Sequence, residues 1–196
     1  MSSTEGFSHY DPDQRRVLLE TAARSIAQGL ERHVPMDPQL SDYPPALCAT
    51  RASFITLEIG HELRGCIGVL EACRPLIRDV AHNAFAAAFE DPRFPPLRAQ
   101  EYPRLSIKVS VLSVPVPIDF ASEADLVRQL KPGEDGLILR DARHRGTFLP
   151  SVWEQLPEPR DFLGHLKRKA GLPTDYWSDD IQVLRYGTES FGGPVP

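Results

Sequence analysis

The sequence predicts an α+β fold, with a mainly antiparallel sheet flanked by helices. Short segments in which apolar and polar residues alternate are joined by tight turns, which is typical of antiparallel hairpins. Longer segments between these hairpins repeat apolar residues every three to four positions, which is typical of amphipathic helices. Because strands and helices do not alternate regularly, a parallel sheet built from βαβ units is not expected.

The first half of the chain is predicted to contain a helix, a hairpin and a second helix. Asp11 followed by Pro12 indicates a helix start, and apolar residues at helical spacing continue this helix to about His33. Alternation over residues 53–70 predicts a hairpin that turns near residues 60–62. The second helix runs from Pro75 to about Glu90, with an apolar stripe facing the core.

The second half adds shorter elements. Alternation predicts a third strand over residues 105–111, and the prolines that follow it favour a position at the sheet edge. A capping box at Ser122 starts a helix that ends near Leu130. A hairpin over residues 137–149, a helix around residues 162–170 and a last strand at 181–186 complete the prediction.

Composition limits the classes of function. The 196 residues are 41% hydrophobic and carry a net charge of -5 without a block of like charge, so nucleic acid is not an expected partner. No stretch approaches the ~20 apolar residues that span a bilayer, so no membrane partner is expected. A polar N-terminus without signal-peptide character and three irregularly spaced cysteines favour a reducing, cytoplasmic location.

Residues 63–68 (LRGCIG) hold the strongest candidate site. Pairing Thr56 with Cys66 and Glu58 with Arg64 places Arg64 and Cys66 on one face of the hairpin and Gly65 on the other, although a one-residue slip would reverse these faces. A nearby guanidinium favours the thiolate, which is the reactive form, and arginine also binds carboxylate or phosphate. Alternatively, Cys66 is a small buried apolar residue and the glycines only shape a bulge.

Nucleophilic catalysis by Cys66 would require a base. His61 and His82 are the nearest histidines in sequence, and a helix that folds back over the hairpin would bring His82 or Asn83 to the thiol. Cys66 and Cys73 do not have zinc-cluster spacing, so no metal site is predicted. No nucleotide-binding glycine motif occurs, and the sequence does not identify a cofactor, which is unknown at this point.

The loop after the second helix, residues 91–97 (DPRFPPL), is the second candidate feature. Its prolines fix the backbone, so it could present Arg93 and Phe94 as one wall of a binding site. Alternatively, it only ends the helix and Phe94 fills the core. We favour the core position for Phe94 and an accessible position for Arg93.

Several of these motifs resemble the AMMECR-type domain family, whose prokaryotic members are called AmmeMemoRadiSam system protein A. The matching blocks appear in the family's order: LRGCIG at 63–68, NAFAAAFEDPRFPPL at 83–97, IKVSVLS at 107–113, FLP at 148–150 and KAGL at 169–172. The resemblance implies one domain over residues 10–190 with tails at 1–9 and 191–196. After the FLP block, Pro157 and Pro159 interrupt the sequence more than is usual in the family.

The resemblance also implies larger and smaller lobes with a cleft between them near the signature strand, and Memo-like and radical SAM proteins as partners. It brings no defined reaction. The candidate ligand-binding residues that match the family's motifs are Arg64, Gly65, Gly68, Asn83, Asp91 and Arg93, and the candidate catalytic residue is Cys66.

Three hypotheses follow. The first is an accessory or binding protein in which Arg64 and Arg93 hold a small anionic ligand and Cys66 contributes only size. The second is a thiol-dependent enzyme with Cys66 as nucleophile or redox residue. The third is an RNA-associated protein, which the charge distribution disfavours. We rank binding above catalysis because the sequence gives the thiol no assured base.

Overall fold

The computed structural model describes residues 10–195, and it confirms the α+β prediction. It contains five α-helices and two four-stranded sheets. The chain divides into two compact units, one formed by residues 10–112 with 189–195 and the other by Ser113–Thr188. The predicted tail at residues 1–9 lies outside the described part of the chain. No helix among residues 10–195 has the length and hydropathy needed to cross a bilayer.

The first unit is a sheet with helices on one face. Its elements are α1 (Pro12–Arg32), α2 (Pro45–Cys48), β1 (Ser53–Ile59), β2 (Glu62–Gly68), α3 (Leu76–Phe89), β3 (Leu105–Leu112) and β8 (Thr188–Pro194), with strand order β2-β1-β3-β8. Helix α1 starts as predicted, because Asp11 and Gln14 cap each other's backbone N–H groups. The inward residues of β1 and β3, Ile55, Leu57, Ile107 and Val109, form one buried cluster with the apolar faces of α1 and α3.

The hairpin of β1 and β2 has the predicted register over most of its length. Thr56 pairs with Cys66 and Leu57 with Gly65, but Glu58 pairs with Leu63. Arg64 is therefore the extra residue of a β-bulge, and the predicted pairing of Glu58 with Arg64 is wrong. A bulge re-aims the side chain that it carries, so the strict alternation assumed for Arg64 does not hold.

Two other strand predictions need correction. Strand β3 lies between β1 and β8 and is not at the sheet edge, because the prolines that follow it belong to the next unit. Residues 191–194, predicted to be part of a C-terminal tail, belong to β8. The run Gly192-Gly193-Pro194 has the composition of a tail, but a Cβ on Gly192 would lie 2.6 Å from Ile107 O, so β8 approaches β3 too closely for a side chain.

The second unit has its own sheet and core. Its elements are β4 (Val116–Pro117), α4 (Glu123–Gln129), β5 (Gly136–Arg140), β6 (Arg145–Phe148), α5 (Pro159–Lys169) and β7 (Gln182–Tyr186), with strand order β4-β7-β5-β6. Trp153 stacks on Phe162 with ring centroids 3.8 Å apart in this core. Pro159 lies in the first turn of α5, where proline is tolerated, so it does not break the helix.

Candidate functional site

The two glycines of the signature segment are explained by close packing. Helix α3 crosses β2 so closely that a Cβ on Gly65 would lie 2.0 Å from Ala87 O. A Cβ on Gly68 would lie 2.4 Å from the Phe54 ring. Both positions are therefore restricted to glycine by neighbours within the fold, so neither glycine indicates a ligand.

The main chain of Cys66 is held by the loop that follows α3. Strand β2 is at the edge of its sheet, and the Cys66 N–H and C=O point away from β1. The N–H donates to Asp91 Oδ2 at 2.8 Å, and Arg93 Nη2 donates to the carbonyl oxygen at 3.1 Å. These two side chains thus replace a neighbouring strand at this edge. The structure brings together the two motifs singled out in the sequence.

Asp91 and Arg93 also form an ion pair with each other. Arg93 Nε donates to Asp91 Oδ1 at 2.9 Å, and Nη2 donates to Oδ2 at 2.6 Å. The Arg93 guanidinium, with help from the Cys66 N–H, holds the pKa of Asp91 far below its usual value. Asp91 is buried, but the Arg93 side chain is 53% exposed. Within the described residues, no hydrogen bond uses Arg93 Nη1.

Arg64 is bound differently. Its Nε and Nη2 donate to the Glu101 carboxylate at 2.8 and 3.2 Å, and Nη2 also donates to Pro95 O at 2.9 Å. This pairing lowers the pKa of Glu101. The Arg64 side chain is only 12% exposed, and its Nη1 is buried without a hydrogen-bond partner among the described residues.

Phe94 lies beside both arginines and outside the core clusters. Its ring centroid is 5.9 Å from the Arg64 guanidinium carbon and 5.5 Å from that of Arg93, within the range of cation–π contacts. The prediction that Phe94 fills the core is wrong, because the ring covers two guanidiniums at the sheet edge. Arg93 is accessible, as predicted.

The Cys66 thiol is half-buried on the face of the sheet opposite α3. Its Sγ lies 3.4 Å from Thr56 Oγ1, as the register predicts. Gly65, the neighbouring residue, faces Ala87 of α3, and successive residues of a strand point to opposite faces. The sheet therefore separates the thiol from α3, and the prediction that α3 brings His82 or Asn83 to Cys66 is wrong.

His61 is also excluded as a base for Cys66 in this geometry. It occupies the turn of the hairpin with φ 69°. Cys66 is five positions further along the chain in strand β2, which corresponds to a rise of about 16 Å. Thr56 Oγ1 lies within hydrogen-bond distance of this thiol. The Arg93 guanidinium also interacts with the Cys66 side chain, and both Asp91 and, more weakly, this thiol raise the pKa of Arg93.

Asn83 belongs to a separate buried cluster at the start of β1. Its Nδ2 donates to Asp79 Oδ2 at 2.9 Å and to Ser53 O at 3.1 Å. Ser53 donates to the same carboxylate oxygen through its N–H and hydroxyl. Burial raises the pKa of Asp79. This cluster joins α3 to β1, so Asn83 has a structural role in this geometry.

The sequence did not predict the roles of Glu101, Asp79 and Ser53. Glu101 is 37 positions from Arg64 along the chain, so no local pattern connects them. For Asp79 and Asn83 a signal existed, because polar residues at i and i+4 share one helix face. Among residues 10–195, no three His, Cys, Asp or Glu side chains are close enough together to hold a metal ion.

Comparison with known proteins shows the family to which the whole chain is similar. The AMMECR1 family model matches residues 19–191. A protein of Thermofilum pendens is 35% identical, with 94% of this chain and 92% of the relative covered. A protein of Methanothermobacter thermautotrophicus is also 35% identical, with 91% and 94% covered. The crystal structure of the uncharacterized protein PH0010 from Pyrococcus horikoshii superposes with a TM-score of 0.75, at 34% identity and 91% coverage of both chains.

Proposed function

Because the chain belongs to the AMMECR1 family, we propose that it is a cytosolic accessory protein that binds a small anionic ligand and works with Memo-like and radical SAM partners. The proposed contact surface consists of Arg93, Phe94 and the Cys66 thiol. The signature strand and the loop after α3 supply it together. Three free cysteines, none in a disulfide, agree with a reducing location.

One observation carries this proposal: Arg93 is both fixed and accessible. Its Nε and Nη2 are held by Asp91 and by the Cys66 carbonyl, while the side chain remains 53% exposed. A guanidinium fixed in this way loses little conformational entropy when a ligand binds. Its remaining nitrogen, Nη1, is available to a carboxylate or phosphate oxygen.

Arg64 has a different part in this proposal from the one first expected. Its guanidinium is committed to Glu101 and to Pro95 O, and it is nearly buried. In this proposal Arg64 holds Phe94 and the loop in position, and Arg93 makes the direct contact with the ligand. The carboxylates of Asp91 and Glu101 balance the two guanidiniums, so ligand recognition would depend on geometry more than on net positive charge.

The alternative function, thiol chemistry at Cys66, keeps one observation in its favour. The thiol is partly accessible and lies on a polar sheet face beside Thr56. A cysteine nucleophile is activated by an adjacent base or by stabilisation of the thiolate. Among residues 10–195, no histidine is hydrogen-bonded to this thiol, so a base would have to come from the substrate or a partner. We therefore rank this function second.

Native protein purified without denaturation, followed by mass spectrometry of bound small molecules, tests the proposal. The variant Arg93→Gln should lose the ligand and weaken capture of the Memo-like and radical SAM partners. Arg104→Ala removes another exposed arginine of the same unit and should retain both. Thermal unfolding of each variant separates loss of binding from loss of folding. Ligand retained by Arg93→Gln at wild-type level would contradict the proposal.

Cys66→Ser separates the two functions. The serine variant keeps the size of the side chain and should retain the ligand and partner capture. If it is folded but loses function, and if native Cys66 reacts with iodoacetamide faster than an ordinary free thiol, the thiol-dependent alternative replaces the binding proposal.

A further inference from the structure

A cavity lies between α4 and α5, wholly within the Ser113–Thr188 unit. Its volume is about 630 Å³, which is within the usual range of roughly 300–1,000 Å³ for small-molecule sites. It shares no residue with the surface around Cys66. The signature segment and its neighbouring loop therefore do not account for it.

Basic side chains of α5 line much of the cavity. Arg160, His165 and Arg168 line it, and within the described part of the chain none of the three has an ion-pair partner. Asp161 is one acidic group in the lining, and Glu123 is the other. Glu123 is already paired with Lys167. The two guanidiniums therefore exceed the one remaining carboxylate, and the cavity has an excess of positive charge.

Lys167 is a buried charged residue that holds two of the lining residues in place. The side chain is fully buried, and its Nζ donates to Glu123 Oε1 at 2.6 Å and to Thr174 O at 3.1 Å. Both acceptor residues line the cavity. The ammonium also lies 5.3 Å from the Trp177 ring centroid. A lysine is almost never fully buried unless paired, and this arrangement fixes one side of the cavity rigidly.

Gly164 leaves open space in the floor of the cavity. It lies in α5 at equal spacing between Arg160 and Arg168, so the three residues follow one stripe of the helix. A Cβ on Gly164 would meet only Thr174, at 3.8 and 3.9 Å, which is ordinary contact. Glycine in a helix interior costs about 0.5–1 kcal/mol relative to alanine. Packing does not explain this glycine, whereas space for a ligand does.

We propose that this cavity binds a small phosphorylated molecule. Its phosphate would lie over Gly164, between the guanidiniums of Arg160 and Arg168, whose backbone positions are about 12 Å apart along the helix axis. The His165 imidazole supplies a further hydrogen-bonding group. Arginine forks match phosphate oxygens in bidentate geometry, and a phosphate offers enough acceptor oxygens for all three side chains.

Calorimetric titration of the full chain with inorganic pyrophosphate in low-salt buffer tests the proposal. Wild type should bind with saturable one-site behaviour. Arg160→Ala and Arg168→Ala should each weaken binding about tenfold or more, because each removes a charge-assisted contact. Gly164→Leu should abolish binding by filling the floor, although it leaves every charge in place. Quenching of Trp177 fluorescence should follow the calorimetric curve.

Arg143→Ala is the matched control, because Arg143 is an exposed arginine of the same unit outside the cavity. It should bind pyrophosphate as wild type does. Three results would overturn the proposal: no binding at millimolar pyrophosphate, equal weakening by Arg143→Ala and Arg168→Ala, or unchanged binding by a folded Gly164→Leu variant. Equal weakening by these two variants would mean that pyrophosphate is attracted by the overall positive charge of the surface and not by this cavity. Co-purification of a ligand that depends on Arg93 is measured separately, so this proposal and the proposed function can fail independently.

Discussion

Replacing Gly65 by alanine tests whether the first glycine of the signature is required by packing. The added Cβ would lie 2.0 Å from Ala87 O and 3.0 Å from Ala87 C. Ordinary contacts between carbon and carbonyl oxygen are about 3.3–3.6 Å, so β2 and α3 would have to separate by roughly 1.3 Å. Both contact atoms are main chain, and no side-chain rotation can relieve the clash.

The size of the effect follows from that separation. Overpacking costs about 1–3 kcal/mol and occasionally more. We expect the upper end, about 3 kcal/mol, because the movement also loosens Val80, Ala84 and Ala88 on the buried face of α3. For a chain of this length, such a loss lowers the midpoint of thermal unfolding by roughly 6–12 °C.

Urea and thermal unfolding followed by circular dichroism measure the change. Gly193→Ala is the matched control, because Gly193 lies in β8 of the same sheet and a Cβ there meets nothing within 4 Å. We expect its free energy of unfolding to change by less than about 0.5 kcal/mol. If Gly65→Ala were as stable as Gly193→Ala, the close approach of α3 to β2 would be refuted as the reason for glycine at position 65.

Four further variants test other parts of the fold. Asp91→Asn should have a lower free energy of unfolding than wild type at pH 7. Because Arg93 lowers the pKa of Asp91, this difference exists above the pKa of the unfolded state and shrinks below about pH 4. Urea unfolding at pH 7 and below about pH 4 measures it. Asn83→Ala should lose about 1–3 kcal/mol. Asn83→Asp should lose more at pH 7, since it adds a buried carboxylate beside Asp79, and should recover relative to Asn83→Ala on acidification. Tyr186→Phe removes the hydrogen bond to Phe148 O and should lower the free energy of unfolding by about 1 kcal/mol. Because burial raises the pKa of Tyr186, the wild type should lose stability above about pH 10, and the variant should not show this alkaline loss.

Local patterns predicted most of the helices and strands. The cap at Asp11 and the apolar periodicity of α1 act within a few residues, so the sequence shows them directly. Pairing of Thr56 with Cys66 was predictable because one apolar face fixes the register of a hairpin. The bulge at Arg64 was not, because it arises where the Arg64 side chain meets Glu101, far along the chain.

Long-range contacts also explain the errors at the candidate site. The sequence predicted His82 or Asn83 as a partner of Cys66 because their helix follows the hairpin along the chain. Which sheet face receives that helix depends on where the small and apolar residues of the hairpin point, and Gly65 directs α3 to its own face. The sequence did not predict strand β8 for a similar reason. Its glycines have no strand pattern, and the reason for Gly192 is its close approach to the main chain of the neighbouring strand β3.

The structure divides the signature into residues that build the site and residues that can meet a ligand. Gly65 and Gly68 are required by packing, and the main chain of Cys66 is already hydrogen-bonded to Asp91 and Arg93. Arg64 is committed to Glu101 and Pro95 O, and the side chains of Leu63 and Ile67 are apolar. The Cys66 thiol is therefore the candidate within the hexapeptide for a polar contact with a ligand. The accessible guanidinium belongs instead to Arg93, outside the hexapeptide. A variant that changes the glycines will report on stability, whereas function must be tested at the thiol and at Arg93.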